Sequence, residues 1–562
     1  MSEKNKNLPP PIDPRTGFCP KTKTFHSLRP SASLPLESSP ISVTDFAFSI
    51  LKSSPPSPST ASLVDGLTHR TILYPEFISR VKNLTKYLYH NLGLRKGDSV
   101  YILSPNSVHI PILCFSLFSL GVVISPGNPA SSDSDVSRQV RLCNPVIAFV
   151  TKKTAHKISN IRTILVDSDS DSDSDSPSFE SISTGKFDSG GLELDGIDST
   201  VCQSDPAAIL YSSGTTGREK GVILTHRNFT YVAAAGLAVR PARKSSPVCF
   251  CAVPYFHVYG LSYFIRSLAM GETVVSMGRF DFEVMMKCIE DFRVTHMAVA
   301  PPIVVAMVKK DAEFVDGYDL RSLEVVGCGG APVRRSVVQL FRERFPHVIL
   351  GQAYGLTEST ARVFGTVGPE EGQFMGATGK LMSNCEAKIV DPQTGILLPP
   401  GSPGEIWLRG PSIMKGYVDD EKATAATLDS GGWLRTGDLC YIDNEGFLFF
   451  VDRIKELIKY KGYQVAPAEL EHLLHYHPDI AEAAVIPYPD EEAGQAPLAF
   501  VVRQSGSTID ESKIKDFIAK QVAPYKRIRR VMFIDSLPKN AAGKVLRKDL
   551  IKFAVSGATS KL

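Results

Sequence analysis

Apolar positions along the chain alternate between two spacings. Between Pro75 and Leu92 they recur at helical spacing, and the uninterrupted apolar run from Val100 to Leu103 then predicts a buried strand. The same change recurs later: Leu323 to Val326 indicates a strand, Val333 to Arg344 a helix and His347 to Leu350 another strand. Repeated alternation of strands and helices is typical of an α/β fold with mostly parallel sheets.

Two stretches depart from this alternation. Residues 1 to about 60 are rich in Pro, Ser and Thr, and we expect them to cover the surface with little regular structure. Asp167 to Ser176 alternates Asp and Ser, so it cannot bury apolar surface and is expected to be a solvated loop. Neither stretch belongs to the predicted core.

The longest apolar run extends from Ile110 to Ile124 and is followed by Pro126. It is short for a membrane span, and we predict a helix that leads into a buried strand. We therefore expect no membrane span. The first residues also lack the basic, apolar and small-residue order of a signal peptide.

The pattern changes near residue 450. The strand predicted at Phe447 to Val451 is followed by the charged segment Asp452 to Glu456, and then by short strands and helices. We therefore divide the chain into a large α/β domain, residues 1–453, and a small, mobile α+β domain, residues 454–562, joined by a hinge.

Composition limits the possible functions. A chain of 562 residues is too long for one hydrophobic core. Its net charge of +3 gives no global basic surface, so we expect no nucleic-acid partner and a local site for any anionic ligand. Its ten cysteines do not show disulfide or metal-ligand spacing, which indicates reduced, mostly buried thiols.

The segment from Tyr211 to Gly221 reads Tyr-Ser-Ser-Gly-Thr-Thr-Gly-Arg-Glu-Lys-Gly and follows an apolar run that predicts a strand. Its glycines allow backbone N–H groups to turn toward an anion, its hydroxyls add donors, and Lys220 adds a positive charge. These features favour a nucleoside triphosphate. The spacing matches neither the P-loop nor the dinucleotide fingerprint, and a generic stretch of this composition is more often a flexible turn.

Six further segments of the chain have distinctive motifs. In chain order they are Pro254–Gly260 (PYFHVYG), Gly327–Pro332 (GCGGAP), Gln352–Glu358 (QAYGLTE), Trp433–Asp438 (WLRTGD), Lys459–Gln464 (KYKGYQ) and Leu537–Lys544 (LPKNAAGK). Their joint occurrence, in family order from about Pro75 to Lys544, resembles the adenylate-forming superfamily of acyl-CoA synthetases, aryl-CoA ligases, beetle luciferases and peptide-synthetase adenylation domains. The combination is far more specific than any single motif.

The resemblance implies a site for ATP and an acyl-adenylate. The matching positions are Ser212, Ser213, Gly214, Thr215, Thr216, Lys220, Gln352, Tyr354, Thr357, Asp438, Arg453, Lys455, Lys459, Gln464 and Lys544. Asp438 and Arg453 match contacts to the ribose, and a carboxylate can accept hydrogen bonds from both ribose hydroxyls. Glu358 matches the carboxylate that helps to hold Mg²⁺, a cation that prefers oxygen ligands and bridges phosphates.

The same resemblance implies the reaction. A carboxylic acid is adenylated by ATP, pyrophosphate leaves, and the acyl group then passes to coenzyme A with release of AMP. The matching catalytic positions are Lys544, His257, Lys220 and Thr357. Arg279, Lys461 and Gly462 match contacts to coenzyme A, and the small domain is expected to rotate about Lys455 between the two half-reactions.

The most similar subfamily is the plant 4-coumarate:CoA ligase-like group. Positions that match its acyl pocket are His257, Tyr259, Tyr263, Gly330, Ala353, Arg362 and Gly365. Ala353 stands where Gly is usual, and Arg362 and Gly365 stand where apolar residues are usual. Because an unpaired buried charge is costly, we expect Arg362 to turn outward to solvent or a local acid rather than to meet a polar group of the substrate. Cinnamate-type, medium-chain fatty and oxylipin acids all remain open.

Ser560-Lys561-Leu562 matches an address read by the peroxisomal import receptor, so we expect a peroxisomal protein with that receptor as a partner. Two rival functions remain: a luciferase-like oxygenase and a non-catalytic nucleotide-binding relative. The aromatic segment Phe256 to Tyr259 favours the ligases over the first rival. The presence of every catalytic group argues against the second.

Overall fold

The computed structural model describes residues 11–167, 178–185, 200–212, 219–241, 246–310, 312–333, 335–461, 463–490, 492–539 and 545–559. Several predictions therefore concern positions outside the described residues. They are Ser213, Gly214, Thr215, Thr216, Gly462, Lys544, all of the Asp-Ser repeat after Asp167, and Ser560 to Leu562.

Strands and helices of the described residues are numbered in chain order. The strands are β1 Phe18–Cys19, β2 Thr24–His26, β3 Ala61–Asp65, β4 Thr71–Leu73, β5 Ser99–Leu103, β6 Val123–Pro126, β7 Ile147–Val150, β8 Arg162–Leu165, β9 Pro206–Ser212, β10 Lys220–Thr225, β11 Val248–Cys251, β12 Thr273–Ser276, β13 His296–Val299, β14 Val325–Cys328, β15 Ile349–Leu356, β16 Ala361–Gly365, β17 Lys380–Leu381, β18 Glu386–Val390, β19 Gly404–Arg409, β20 Gly416–Tyr417, β21 Leu434–Ile442, β22 Leu448–Arg453, β23 Ile458–Tyr460, β24 Tyr463–Val465, β25 Ile480–Asp490, β26 Gly494–Arg503 and β27 Arg530–Phe533. The helices are α1 Val43–Ser53, α2 Tyr74–His90, α3 His109–Ser119, α4 Asp133–Cys143, α5 Phe179–Thr184, α6 His226–Ala238, α7 Val258–Ala269, α8 Phe282–Asp291, α9 Pro301–Lys309, α10 Ala312–Asp316, α11 Arg335–Arg344, α12 Gly368–Gly372, α13 Glu421–Thr427, α14 Pro467–Leu474, α15 Glu511–Ala519 and α16 Arg547–Thr559.

Two sheets have parallel centres. One has the order β20-β10-β9-β6-β5-β7-β8, with β9 to β8 parallel and the β10 edge antiparallel. The other has the order β17-β16-β15-β14-β13-β11-β12-β3-β4, with its centre from β15 to β3 parallel. The predicted α/β class with mostly parallel sheets is confirmed for this part of the chain.

The apolar run from Ile110 to Ile124 forms α3 and then enters β6, as predicted. Nearly all of α3 is buried, and such a helix belongs in a core because it has no polar face to turn to water. Within the part of the chain that the structure covers, no helix is long and apolar enough to cross a membrane.

Two further sheets are mainly antiparallel. The first, β1-β2-β18-β19-β21-β22, brings the start of the chain beside strands that lie more than three hundred residues later, as in the pairing of Phe25 with Ala387. The second, β24-β23-β26-β25 with β27 on β26, consists only of residues after Leu457 and has its own apolar core. Its composition agrees with a small C-terminal α+β unit, while the exact boundary between residues 453 and 454 stays a prediction.

The expectation of little regular structure before residue 60 is wrong for two segments. Phe18 and Phe25 are buried in the first antiparallel sheet. The helix α1 begins with a capping box, in which Ser42 and Asp45 satisfy each other's backbone N–H groups, and it buries an apolar face. The abundant Pro and Ser of this region lie between these elements, which hid the short regular segments from a reading of composition.

Candidate active site

The carboxyl ends of the central strands meet around one large cavity of about 1050 Å³. This is the edge of a parallel sheet at which α/β proteins bind ligands. The predicted residues that line it are Ser212, Lys220, His257, Tyr259, Tyr263, Gly330, Gln352, Ala353, Tyr354, Thr357, Glu358, Arg362, Asp438, Arg453 and Lys455. Most of the site predicted from sequence is thus brought into one space.

At one corner of the cavity the Glu358 carboxylate is held by two hydroxyl groups. Ser212, the last residue of β9, donates to Glu358 Oε1 at 2.7 Å, and Tyr417 on β20 donates to the same oxygen at 3.0 Å. Lys220 lies beside them, with its Nζ 4.6 Å from the centre of the Tyr417 ring. The predicted phosphate-binding segment therefore contributes a hydroxyl near its start, Ser212, and a cation near its end, Lys220. Both lie at the corner where the Glu358 carboxylate is held.

A second carboxylate, Asp438, lies almost completely buried at another corner. The Tyr354 hydroxyl donates to its Oδ2 at 2.8 Å, and Arg453 Nε lies 3.5 Å from its Oδ1. The pairing of β21 with β22 places Asp438 directly opposite Arg453. Burial and the neighbouring Asp438 charge raise the pKa of Tyr354 well above its ordinary value, so its phenol stays a donor.

His257 precedes α7 and acts as its N-cap. Its Nδ1 accepts a hydrogen bond from the backbone N–H of Tyr259 at 3.2 Å, which leaves the proton of the neutral ring on Nε2. The ring is exposed to the cavity, and the atoms of the surrounding walls partly desolvate it. This desolvation lowers the pKa of His257, so the ring is a neutral donor.

The turn after β22 carries Lys455 in a short 3₁₀ helix, Ile454–Glu456. Desolvation, and then the neighbouring Arg453 charge, lower the pKa of Lys455. Lys455 also borders a smaller adjoining pocket of about 360 Å³, whose wall includes Lys459 and Gln464 from the paired strands β23 and β24. These two predicted residues are therefore near the main cavity but do not line it.

One face of α7 forms a wall of the main cavity, with Tyr259, Ser262, Tyr263 and Arg266 on successive turns. The Tyr259 hydroxyl donates to the Gly327 carbonyl at 2.9 Å. Arg266 is paired with the buried Glu272 at 3.2 Å and lies against the Tyr263 ring. This wall is consequently mostly aromatic, with its one cation already neutralised.

Arg362 does not turn outward, which corrects the expectation from sequence. It lies on β16, packs toward α7 and lines the cavity. Among the described residues it has neither a hydrogen bond nor an ion pair. Its neighbour Gly365 does not line the cavity; a Cβ atom at Gly365 would lie 2.4 Å from Arg362 Cδ, so this glycine makes the space that the arginine stem occupies.

The residues predicted to contact coenzyme A lie elsewhere. Arg279 is exposed between β12 and α8. Lys461 is exposed in the turn between β23 and β24 and has a left-handed backbone with φ of 47°. Its Nζ lies 3.9 Å from Glu492 Oε2. Neither Arg279 nor Lys461 lines the main cavity, and their roles toward coenzyme A stay predictions.

Sequence reasoning missed many residues of the cavity wall, among them Tyr417, Ser262 and Arg266. Tyr417 lies in a two-residue strand, and only the pairing of β20 with β10 places it near the phosphate-binding segment. Ser262 and Arg266 follow Tyr259 at helical spacing, which is a signal that could have identified them as members of the same wall.

Glu358 is a carboxylate of this cavity that could hold a divalent cation. The described residues contain no cluster of three or more His, Cys, Asp or Glu side chains that would form a metal cage. Mg²⁺ does not need one, because it commonly binds through one or two carboxylates and substrate phosphates. The orientation of Glu358 by Ser212 and Tyr417 fits that type of site.

Comparison with protein families agrees with this geometry. Residues 54–418 match the model of the AMP-binding enzymes, and residues 469–544 match the model of the AMP-binding enzyme C-terminal domain. Among curated proteins, the chain is 49% identical to 4-coumarate–CoA ligase-like 9 of Arabidopsis thaliana, over 98% of each chain. It is 45% identical to peroxisomal OPC-8:0-CoA ligase 1 of the same plant, over 97% of this chain and 98% of the relative.

Solved structures show the same fold. An o-succinylbenzoate CoA synthetase from Bacillus subtilis, in complex with its acyl-adenylate intermediate, is 27% identical, has a TM-score of 0.75 and covers 90% of this chain and 97% of its own. ATP-bound MatB from Rhodopseudomonas palustris is 25% identical, has a TM-score of 0.78 and covers 91% and 99% of the two chains. The chain therefore belongs to the family of AMP-binding enzymes, among the 4-coumarate–CoA ligase-like proteins, as the order of its motifs predicted.

Proposed function

We propose that this enzyme is an AMP-forming carboxylate–CoA ligase that uses ATP, Mg²⁺ and coenzyme A. The observation that carries the proposal is the convergence of Ser212, Glu358 and Asp438 on one cavity large enough for a nucleotide and an acyl group. The relatives named as CoA ligases and the solved relatives bound to ATP or an acyl-adenylate support it.

The buried acidic corner is proposed to bind the ribose. Asp438 would accept hydrogen bonds from ribose hydroxyls, and Arg453 at 3.5 Å would keep its carboxylate charged and oriented. Ser212, with the predicted Ser213 to Thr216 and Lys220, would bind the phosphates. Gln352, Tyr354 and Thr357 border the same cavity, where they would contact the adenine and the α-phosphate.

Glu358 would be the residue of this chain that holds Mg²⁺. When bound, this cation neutralises phosphate charge and so favours attack by an anion. The chain's own part is to fix the carboxylate in place beforehand, through the hydroxyls of Ser212 and Tyr417. Preorganised groups of this kind cost no reorganisation when the reaction takes place.

In the first half-reaction, a substrate carboxylate oxygen forms a bond to the α-phosphorus of ATP, and the bond from that phosphorus to the pyrophosphate oxygen breaks. Two anions must approach each other, so neutralisation and alignment provide most of the catalysis. Lys220 and the predicted Lys544 would supply positive charge. The Nε2–H of His257 would orient the carboxylate.

In the second half-reaction, the thiol sulfur of coenzyme A, after loss of its proton, forms a bond to the acyl carbon, and the bond from that carbon to the AMP oxygen breaks. We propose that residues 454–562 rotate as one domain about Lys455 between the two steps, which removes Lys544 and brings Lys461 and Gly462 to the thioester site. Arg279 would then meet the phosphates of coenzyme A.

The decisive test is an acid panel with the full-length protein, ATP, Mg²⁺ and coenzyme A. Aromatic, fatty and oxylipin acids are compared, and AMP, pyrophosphate and acyl-CoA are quantified by chromatography. Equimolar AMP and acyl-CoA, dependent on the acid, support the proposal. Nucleotide binding without turnover would indicate a non-catalytic relative, and light emission with a luciferin would indicate an oxygenase.

We also propose that the enzyme acts in the peroxisome. The support is the relative named as a peroxisomal ligase, at 45% identity. A fluorescent protein fused before residue 1 should co-localise with a peroxisomal marker. The prediction that the import receptor reads Ser560-Lys561-Leu562 is tested by Leu562→Glu, which should leave the fusion protein in the cytosol.

A further inference from the structure

Arg362 is a cation of the cavity wall to which the proposed reaction gives no role. Arg362 lies on β16 and lines the space bounded by the aromatic wall of α7. The groups whose charges or phenols act on Arg362 are Arg266, Arg29, Tyr231 and Tyr259, and they do not include Glu358 or Asp438, the two acidic corners assigned to the nucleotide. Its role must therefore be sought in the part of the cavity that would receive the acyl group.

The charges near Arg362 are of its own sign. The pKa of Arg362 is lowered to about 10. Burial is the largest cause, and the positive charges of Arg266 and Arg29 are the next largest. Both neighbours have their own acidic partners: Arg266 pairs with Glu272 at 3.2 Å, and Arg29 pairs with Glu371 at 2.8 Å. No carboxylate of the described chain is left to compensate Arg362.

Hydrogen-bond donors are also in excess here. The two phenols that act on the pKa of Arg362 donate their protons to carbonyl groups, Tyr231 to Ser383 at 2.7 Å and Tyr259 to Gly327 at 2.9 Å, and neither accepts a hydrogen bond from Arg362. The Ser262 hydroxyl, which borders the same cavity, is buried without a partner among the described residues. A guanidinium carries five N–H donors, and buried donors without acceptors are costly.

The fold makes specific room for this arginine. A Cβ atom on Gly365 would lie 2.4 Å from Arg362 Cδ and 3.1 Å from its Cγ and Nε. On the facing helix, a Cβ atom on Gly236 would lie 3.0 Å from Arg266 Cδ. The Arg362 stem therefore occupies space that a Cβ atom on residue 365 would take, and the Arg266 stem packs closely against Gly236.

We propose that Arg362 binds a second, hydrogen-bond-accepting oxygen group, a carbonyl or a carboxylate, at the far end of the acyl substrate. This inference rests on the proposed ligase function and specifies its substrate class: acids that carry such a group at a distance from the reacting carboxylate. An oxygen acceptor on the substrate would pair with the Arg362 guanidinium, for which the described residues provide no partner. A purely apolar acyl chain would leave that charge desolvated and unpaired.

The test compares acids of matched length, with and without the distal oxygen. Decanoic acid, 9-oxodecanoic acid and decanedioic acid form one series, cinnamic acid and 4-carboxycinnamic acid another, and homologues of eight and twelve carbons cover other lengths. We expect the wild type to prefer the oxygen-bearing acids in kcat/KM. In Arg362→Met the preference should fall about 10- to 100-fold, the loss expected for one charge-assisted partner, and kcat/KM for the plain acids should rise.

Two further variants separate charge from shape. Arg362→Lys keeps the cation without the planar fork, so it should retain part of the preference, more for the diacid than for the oxo acid. Gly365→Ala keeps Arg362 but displaces its stem, and should lower the same preference. An equal preference in the wild type and Arg362→Met, or a wild type that prefers plain acids, would overturn the inference.

Failure of the underlying function would look different. In that case no acid would yield AMP with any variant, whereas failure of the inference leaves AMP formation intact and changes only the ranking of acids. Calorimetric titration of decanedioate and decanoate without ATP decides the point independently of turnover. Tighter binding of the diacid by the wild type, lost in Arg362→Met, supports the site; equal binding by both proteins overturns it.

Discussion

The Ser212 hydroxyl donates a 2.7 Å hydrogen bond to Oε1 of Glu358, although the two residues are 146 positions apart in the chain. The bond joins the end of β9 to the 3₁₀ helix Thr357–Ser359 that follows β15, and the two strands belong to different sheets. Tyr417 donates to the same oxygen at 3.0 Å. Among the described residues, no hydrogen bond reaches Glu358 Oε2, so the carboxylate keeps an oxygen with which it could bind a cation.

This arrangement predicts a strong effect of Glu358→Gln on adenylation. The amide keeps the shape of the side chain but removes the charge that would hold the cation. We expect the acid-dependent ATP–pyrophosphate exchange rate to fall about 10²- to 10³-fold. Higher Mg²⁺ should recover part of the loss, because the remaining phosphate ligands still bind the cation weakly.

Tyr417→Phe is the matched control for Glu358→Gln. It removes one of the two hydroxyl donors and keeps the carboxylate, so we expect a loss of only about fivefold, which corresponds to one hydrogen bond of about 1 kcal/mol. If Tyr417→Phe were as damaging as Glu358→Gln, or if the glutamine variant kept full exchange activity, Glu358 would not be the metal-binding group.

The buried Asp438 predicts discrimination by the ribose hydroxyls. The wild type should use ATP better than 2′-deoxy-ATP and 3′-deoxy-ATP, because each analogue removes a donor to the carboxylate. In Asp438→Asn, KM for ATP should rise about 10- to 100-fold and the preference for ATP should shrink toward one. Steady-state kinetics with the three nucleotides measure both quantities.

Tyr354→Phe serves as the control for that comparison. It removes the 2.8 Å hydrogen bond to Asp438 but keeps the carboxylate and its 3.5 Å contact with Arg453. KM for ATP should change several-fold at most, and the preference for ATP over its deoxy analogues should persist. Undiminished discrimination in Asp438→Asn would mean that another group recognises the ribose.

Much of the fold could be predicted from local patterns. The strand–helix alternation was visible because each buried strand is an uninterrupted apolar run, as at Val100 to Leu103, and each helix has its own spacing. The first antiparallel sheet was not visible as a unit. Its pairing of Phe25 with Ala387 depends on contacts between distant segments, which local spacing does not encode.

The site shows the same limit. Motif order led to Glu358 and Asp438, but not to Tyr417, whose contact with Glu358 exists only after β20 pairs with β10. The general cost of a buried charge led to the expectation that Arg362 turns outward, and that expectation was wrong. That cost applies to a filled interior, whereas the structure provides a cavity beside the arginine and a glycine, Gly365, behind its stem.

The proposed domain rotation predicts that two lysines affect different half-reactions. Lys544→Ala should lower adenylation about 10²- to 10³-fold while thioester formation from preformed acyl-adenylate persists. Lys461→Glu changes an exposed residue outside the main cavity, and it should reduce the use of coenzyme A more than pyrophosphate release. The two partial reactions are measured separately by pyrophosphate exchange and by single-turnover thioesterification. Equal losses in both steps for either variant would argue against rotation.

A buried histidine predicts how stability depends on pH. His226, the first residue of α6, has no exposed surface, and its Nδ1 accepts the backbone N–H of Val43 at 3.2 Å. Desolvation lowers the pKa of His226 to about 4, against 6.5 in the unfolded chain. Between these values the unfolded state binds the proton more readily, so stability from this group is complete above about pH 6.5 and is lost as the pH falls toward 4.

The difference in pKa corresponds to about 3 kcal/mol of unfolding free energy between pH 7 and pH 4. We expect the free energy of unfolding in urea to decline between pH 6.5 and 5, and His226→Gln, which cannot titrate but still offers an acceptor to Val43, to flatten that decline. His90→Gln, at an exposed position near the end of α2, is the matched control and should leave the slope intact. If the decline of the unfolding free energy with pH were unchanged in His226→Gln, other groups would cause the acid sensitivity. Protonation of His226 would then not weaken the contact between α1 and α6.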